Sequence, residues 1–109
     1  MAFNASLEMT NDVAKITLAG ELDASAVPAF RAEIEKGAEQ HPRRLVLFLH
    51  ELEYIASAGL RVLIFAKQKM GANVEIYAIA PQEQVLETFT MTGLHYSLHV
   101  MDAYDSDDQ

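Results

Sequence analysis

Hydrophobic and polar residues alternate along the N-terminal part of the chain, a pattern typical of β-strands. The alternation is loose over residues 3–9 and regular over residues 13–18, and residues 10–12 between them (Thr-Asn-Asp) have the composition of a turn. This arrangement predicts an antiparallel hairpin. Residues 20–23, Gly-Glu-Leu-Asp, are predicted to form a loop after the second strand.

Farther along the chain, apolar residues at helical spacing alternate with short apolar runs. Ser25 is a candidate N-cap with Pro28 in the first turn, and Phe30 lies on the apolar stripe of a helix that runs to about Gln40. Residues 45–49 are consecutive apolar residues, as in a strand buried on both faces. The remaining predicted elements are a helix over residues 58–70 ended by Gly71, a strand over 74–79, a helix from Pro81 to Gly93 and a short strand over 98–101.

The order of these elements predicts one α/β domain. A hairpin followed by alternating helices and strands indicates a mixed, mostly parallel β-sheet of four to five strands with an N-terminal hairpin, packed with about three to four helices. The predicted domain covers residues 1–101. Residues 102–109 contain four aspartates and are predicted to form an acidic, flexible C-terminal tail.

Composition and charge narrow the class of protein. A chain of 109 residues with 50% hydrophobic residues fits a single globular domain. Its net charge of -8 disfavours nucleic-acid and membrane binding, because phosphates and anionic lipids are repelled. The absence of cysteine excludes disulfides and thiolate zinc ligands. The N-terminus lacks a signal-peptide pattern and no apolar run has membrane-spanning length, so we expect a cytoplasmic protein.

The segment Tyr-Ile-Ala-Ser-Ala-Gly-Leu, residues 54–60, carries the candidate chemistry. Ser57 follows a predicted buried strand and precedes a predicted helix, which permits three roles. It could be the nucleophile of a serine hydrolase at a sharp strand-to-helix turn (the G-x-S-x-G elbow), a helix N-cap or a modification site. The nucleophile is disfavoured, because Ile55 stands where the sharp elbow turn needs a small residue. An N-cap and a modification site are compatible, since a helix N-terminus favours added negative charge.

No pattern in the sequence predicts a metal or cofactor site. His50 and Glu51 resemble the beginning of the zinc motif H-E-x-x-H, but Tyr54 replaces its second histidine. The remaining histidines have no ligand spacing, and the five glycines are too scattered for a phosphate-binding loop. We therefore expect no metal and no cofactor.

The segments ITLAGELDASAVPAFRAEIE and LVLFLHELEYIASAGLRVL, the stretch of residues 71–79 and the TGL of residues 92–94 together resemble STAS domains. Within that family, the chain is most similar to the bacterial anti-sigma factor antagonists. The resemblance covers residues 3 to about 101 and implies a binding module, not an enzyme. The implied partner is a serine-kinase anti-sigma factor, and a PP2C-type phosphatase is implied to act on the phosphorylated form.

The resemblance also implies which residues form the site. Ser57 corresponds to the regulatory phosphoacceptor. The implied partner-binding residues are Asp23, Ala24, Ser25, Ala56, Ala58, Gly59, Leu60 and Arg61.

The chain departs from the family pattern, whose segment reads D-S-S-G-L or D-S-T-G-L. Ala56 and Ala58 replace the aspartate and the second hydroxyl residue, and Phe48 replaces an aspartate of the preceding strand. Ser57 is then the only candidate acceptor in the motif. Three alternatives follow: Ser57 is phosphorylated, binding is constitutive without phosphorylation, or the module binds a non-sigma signalling partner or a nucleotide. A small Ser57-dependent hydrolase is the alternative from a different class.

Overall fold

The computed structural model describes residues 2–104. Its strands are β1 (Asn4–Thr10), β2 (Val13–Leu22), β3 (Arg44–Ile55), β4 (Glu75–Ile79) and β5 (His99–Met101). Its helices are α1 (Val27–Glu39), α2 (Ser57–Met70) and α3 (Glu83–Thr92). Short 3-10 turns, Ala24–Ala26 and Leu94–Ser97, precede α1 and follow α3. The predicted α/β domain is confirmed.

The sheet is mixed, and its strands lie in the order β1-β2-β3-β4-β5. The β1–β2 pair is the predicted antiparallel hairpin, and the other three pairs are parallel. A parallel connection needs a crossover, which α1, α2 and α3 each supply. The carboxyl ends of β2, β3 and β4 therefore meet at one edge of the sheet, where α/β proteins commonly place their binding sites.

The main hydrophobic core lies between the helices and one face of the sheet. Alternate residues of the strands pack there against the inward stripes of all three helices, represented by Phe30, Leu63 and Phe89. Each of these three side chains is almost completely buried. On the opposite face, Val13, Val46 and Ile79 form a second, smaller buried cluster to which no helix contributes within residues 2–104.

Strands β2 and β3 are both longer than predicted. The predicted loop of residues 20–23 is wrong up to Leu22, because β2 continues and pairs with β3 as far as Ile55. The predicted strand of residues 45–49 is also too short, since β3 runs from Arg44 to Ile55 and includes His50. This extension passes beyond β4, whose pairing with β3 stops at Phe48.

Two glutamine side chains take the place of the missing neighbour strand. Gln82 Nε2 donates to the His50 carbonyl oxygen at 2.8 Å, and Gln84 Oε1 accepts from the Ile55 N–H at 3.1 Å. Because buried backbone groups must find partners, Gln84 stabilises the end of β3 at the part-buried Ile55 N–H, whereas the hydrogen bond from Gln82 is exposed. The two amides also fix the point at which the chain leaves the sheet and enters α2.

Some helix boundaries differ from the predictions. Ser25 is not the N-cap of α1. Instead, Asp23 accepts the Ala26 N–H and so caps the short turn that leads into the helix. Helix α3 begins at Glu83, two residues after Pro81, and ends as predicted at Gly93, whose φ of 77° is left-handed. The predicted last strand is confirmed as β5.

The predicted tail begins after β5. Asp102, Ala103 and Tyr104 belong to the described residues, and Tyr104 packs beside the second buried cluster. Residues 105–109, which carry the other three tail aspartates, lie outside the described residues.

Candidate functional site

The candidate site forms where β2 and β3 end side by side. Leu22 and Ile55 are paired across the two parallel strands, and the Ala56 N–H donates to the Leu22 carbonyl oxygen at 2.9 Å. The segment that begins at Asp23 and the segment that begins at Ala56 thus leave the sheet from neighbouring positions. The structure therefore brings the two groups of predicted partner-binding residues to the same edge of the sheet.

Ser57 is the first residue of α2, and its side chain is exposed. The prediction that it caps the helix is wrong, because the N-cap position belongs to Ala56, whose φ and ψ of -90° and 166° are extended. Ala56 has no side-chain acceptor, so α2 begins without a side-chain cap. Within residues 2–104, the Ser57 hydroxyl makes no hydrogen bond, which leaves it free to contact solvent or a partner.

Gly59 and Leu60 point into the protein. Leu60 is 5% exposed, and Gly59 lies so close to β2 that a Cβ atom there would be 2.8 Å from Leu22 Cγ and 3.0 Å from Ile55 Cγ1. Their burial lets the first turn of α2 lie against the strand ends. Ser57 and Arg61 remain exposed on the outer side of the same helix.

The neighbouring segment is held by Asp23. Its carboxylate accepts hydrogen bonds from the Ser25 hydroxyl at 2.7 Å and from the Ala26 N–H at 3.1 Å. The hydrogen bond from Ser25 is the main reason that the pKa of Asp23 lies below its ordinary value of 3.8. Asp23 therefore presents a negative charge at neutral pH, while Ala24 beside it is exposed.

A shallow concave surface lies alongside the exposed start of α2. It has a volume of about 390 Å³ between α2 and the corner that follows α3. Its lining residues are Ser57, Leu60, Arg61, Ile64, Thr92, Gly93, Leu94 and Ser97. We refer to this lining as the α2 groove.

The sequence did not predict the whole α2 groove. Apolar side chains of α2 are buried in the core, among them Leu60, Val62, Leu63 and Ala66. Ile64 is the exception, because half of it (50%) remains exposed beside Arg61. The opposite wall, residues 92–97, comes from a segment about thirty residues farther along the chain. The one feature of the sequence that pointed to this wall was the TGL of residues 92–94, which is part of the resemblance to STAS domains.

The geometry around Ser57 does not resemble a hydrolytic centre. His95 Nδ1 lies 3.4 Å from the Phe89 carbonyl oxygen and His99 Nε2 lies 3.4 Å from Glu75 Oε1, so each imidazole contacts a group other than the Ser57 hydroxyl. No group of three or more histidine, aspartate or glutamate side chains within residues 2–104 could hold a metal ion. In the same range, the structure contains no helix that is both long and apolar enough for a membrane span.

The mixed sheet, the helices on one of its faces and the exposed start of α2 define the class of protein. The chain belongs to the STAS domain family, whose model matches residues 4–106.

Two relatives and one solved structure show where the chain stands within this family. The anti-sigma-F factor antagonist RsfB of Mycobacterium tuberculosis is 30% identical over 77% of this chain and 69% of its own length. BtrV of Bordetella bronchiseptica, provisionally named an anti-sigma factor antagonist, is 35% identical over 70% of this chain and 66% of its own length. An anti-sigma factor antagonist from Mycobacterium paratuberculosis shares the fold, with a TM-score of 0.86 and 23% identity over 95% of this chain and 89% of that one.

Proposed function

We propose that this protein is an anti-sigma factor antagonist. In this role it binds a serine-kinase anti-sigma factor through the α2 groove and the segment of residues 23–25, and phosphorylation of Ser57 weakens the complex. The names of the two curated relatives support the antagonist role. The observation that carries the proposal is the exposed, unbonded hydroxyl of Ser57 beside a groove with apolar walls.

The unmodified surface is suited to close contact with a protein. Ala24, Ala56 and Ala58 have small side chains, so a partner can approach the backbone at the two strand ends. Ile64, half exposed, offers apolar area, and Arg61 offers a positive charge in an otherwise acidic protein. Apolar and arginine side chains of this kind commonly anchor protein interfaces.

Phosphorylation would change this surface without breaking the fold. A phosphate adds about -1.5 to -2 charges and three acceptor oxygens. Because Ser57 is the first residue of α2, the added charge meets the positive end of the helix dipole. The partner would meet a bulky anion where it had met a small hydroxyl, and a hundredfold loss of affinity corresponds to about 3 kcal/mol. A PP2C-type phosphatase would restore the unmodified surface.

The alanines on either side of Ser57 make this proposal specific. Ala58, the residue directly before Gly59, has no hydroxyl and cannot accept a phosphate. Ala58 is also half-buried, whereas Ser57 is exposed at the rim of the α2 groove. Ser57 is the one serine or threonine in the segment of residues 54–60 and therefore its one candidate acceptor for a serine kinase.

The proposal is tested by incubating the chain with its cognate anti-sigma factor and ATP, and then mapping phosphate by peptide mass spectrometry. We expect one phosphate on Ser57 and none on the Ser57→Ala variant. Ser6, an exposed serine of β1 that does not line the α2 groove, provides the matched control, because Ser6→Ala should be phosphorylated like the wild type. Phosphate on another residue would refute the assignment, and labelling of Ser57 by a serine-directed phosphonate would instead support a hydrolase.

A further inference from the structure

The α2 groove continues into a smaller and more enclosed pocket toward the last turn of α2. The two cavities share Ile64, Leu94 and Ser97 as walls. The pocket has a volume of about 120 Å³, and its other lining residues are Leu63, Lys67, Ile76 and Leu98. We call it the inner pocket. Ser57 does not line it, and the proposed function does not involve it.

The inner pocket is largely apolar and has the size of a single side chain. Leu63, Ile76 and Leu98, which line it, are each at most 8% exposed. An apolar cavity of about 150 Å³ can hold one benzene molecule, whereas sites for whole small molecules span about 300–1,000 Å³. A pocket of about 120 Å³ therefore fits one aromatic or branched side chain better than a complete ligand.

The one charged residue in the lining of the inner pocket is Lys67. Its ammonium donates to the Val74 carbonyl oxygen at 2.7 Å, which holds it between the last turn of α2 and the residue before β4. An ammonium has three N–H donors, so two remain for another acceptor. Among the described residues, no carboxylate pairs with Lys67. The lysine is thus a positioned cation that an external acid can approach.

The charge of this lining differs from that of the chain as a whole. The sequence has sixteen acidic residues and eight lysines and arginines. Within residues 2–104, however, the α2 groove and the inner pocket are lined by two cations, Arg61 and Lys67, and by no aspartate or glutamate. Glu75, next to Ile76 in β4, lies on the other face of the sheet, because successive residues of a strand alternate. An apolar pocket beside a cation complements an apolar side chain beside an acid.

We propose that the inner pocket is an anchor site for the anti-sigma factor. It receives one aromatic or branched apolar side chain of that partner, and Lys67 pairs with an aspartate or glutamate next to it. This inference rests on the proposed function, since it adds a second contact to the same complex. Buried apolar side chains that fill a pocket commonly carry much of the affinity of a protein interface.

The anchor site acts independently of the phosphate. Lys67 follows Ser57 by ten residues on α2, which corresponds to about 15 Å along the helix axis. This separation exceeds the Debye length of about 8 Å at physiological ionic strength. The anchor therefore contributes the same factor to the affinity whether Ser57 is phosphorylated or not.

A free probe tests the chemistry of the inner pocket on the full chain alone. Hydrocinnamate has one aromatic ring and one carboxylate, and hydrocinnamyl alcohol has a hydroxyl in place of the acid. In methyl NMR, we expect hydrocinnamate to shift the signals of Leu63, Ile76 and Leu98 at lower concentration than the alcohol does. An equal response to the two compounds, or a response to neither, would overturn the inference. An affinity of about micromolar or tighter for so small a probe would identify a small-molecule site and overturn the assignment to the partner.

Calorimetry with the cognate anti-sigma factor tests the anchor in the complex. Lys67→Met keeps the apolar stem but removes the charge, so we expect an affinity about tenfold lower. Lys69→Met is the matched control, because Lys69 also lies in the last turn of α2 but lines neither cavity, and it should bind like the wild type. Lys67→Arg, which keeps a cation, should recover most of the affinity.

The outcomes separate the anchor from the proposed function. Equal losses in Lys67→Met and Lys69→Met would overturn the anchor, even where phosphoserine at position 57 weakens the complex. If phosphoserine leaves the affinity unchanged and Lys67→Met still lowers it, the proposed switch is wrong and the anchor is supported. In the phosphorylated chain, Lys67→Met should cost the same factor as in the unmodified one. The absence of any complex would contradict both.

Discussion

Gly59 offers a sharp test of how the start of α2 is packed. Replacing a helical glycine with alanine ordinarily stabilises a protein by up to about 1 kcal/mol, because alanine has the higher helix propensity. At Gly59 the new Cβ would lie 2.8 Å from Leu22 Cγ and 3.0 Å from Ile55 Cγ1. Leu22 and Ile55 are at most 2% exposed, so neither can move aside into solvent.

The expected magnitude follows from these two opposing effects. Overpacking a core by one methyl group typically costs about 1–3 kcal/mol. After the gain in helix propensity is subtracted, we expect Gly59→Ala to lower the free energy of unfolding by up to about 2 kcal/mol. Gly37 in α1 is the matched control, since its Cβ would lie 3.4 Å from Met70 Cε and 3.5 Å from Ala14 Cβ, which are ordinary contacts. Gly37→Ala should stabilise the protein by about 0.5–1 kcal/mol.

Urea denaturation followed by circular dichroism measures both changes, and in thermal unfolding each kcal/mol corresponds to about 4 °C in Tm. The two variants should move in opposite directions. If Gly59→Ala were as stabilising as Gly37→Ala, the close packing of α2 against Leu22 and Ile55 would be wrong. The glycine would then have to be explained by the approach of a partner.

Three further predictions concern the residues around the site. Gln84→Leu should lower the free energy of unfolding by about 1–3 kcal/mol, because the part-buried Ile55 N–H loses its acceptor. Hydrogen exchange of the Ile55 amide should become faster, and unchanged exchange there would contradict the prediction. Ser25→Ala should raise the pKa of Asp23 toward 3.8 in a carboxyl NMR titration. Because the pKa of Asp23 in the folded state is lowered, the Ser25 hydrogen bond stabilises the protein above the ordinary pKa of 3.8, and this contribution is lost as the pH falls through the folded-state pKa. The variant should therefore be less stable than the wild type at pH 7, and the difference should shrink as the pH falls below 3.8. A stability difference independent of pH would count against this prediction. Arg61→Ala should weaken partner binding about tenfold. Because Arg61 is exposed, the free energy of unfolding should stay within about 0.5 kcal/mol of the wild type. Calorimetry with the anti-sigma factor measures the affinity, and an unaltered affinity would exclude Arg61 from the interface.

Local patterns were sufficient to predict most of the fold. The alternation of β1 and β2 predicted the hairpin, and the uniform apolar run of β3 predicted a central strand. The second half of β3 was missed because its pairing to one side is replaced by amides from Gln82 and Gln84, about thirty residues later in the chain. Such a long-range hydrogen bond leaves no periodic pattern near the strand.

The site was also predictable only in part, because some of its features depend on local sequence and others on long-range packing. The segment around Ser57 lies on one continuous stretch, so its exposure beside the buried Gly59 could be anticipated from the family motif. The N-cap of α2 could not be predicted, because the local sequence does not distinguish a helix whose N-cap is Ser57 from one that begins at Ser57. Ile64 and Leu94 line the same groove only because of tertiary packing, which leaves no local pattern in the sequence.

The central claim is that phosphate on Ser57 controls partner binding. The most direct measurement compares the affinity of the cognate anti-sigma factor for the unmodified chain and for a chain synthesised with phosphoserine at position 57. We predict that the phosphorylated chain binds about a hundredfold more weakly while its thermal unfolding stays cooperative. Equal affinities of the two chains, both folded, would contradict the account.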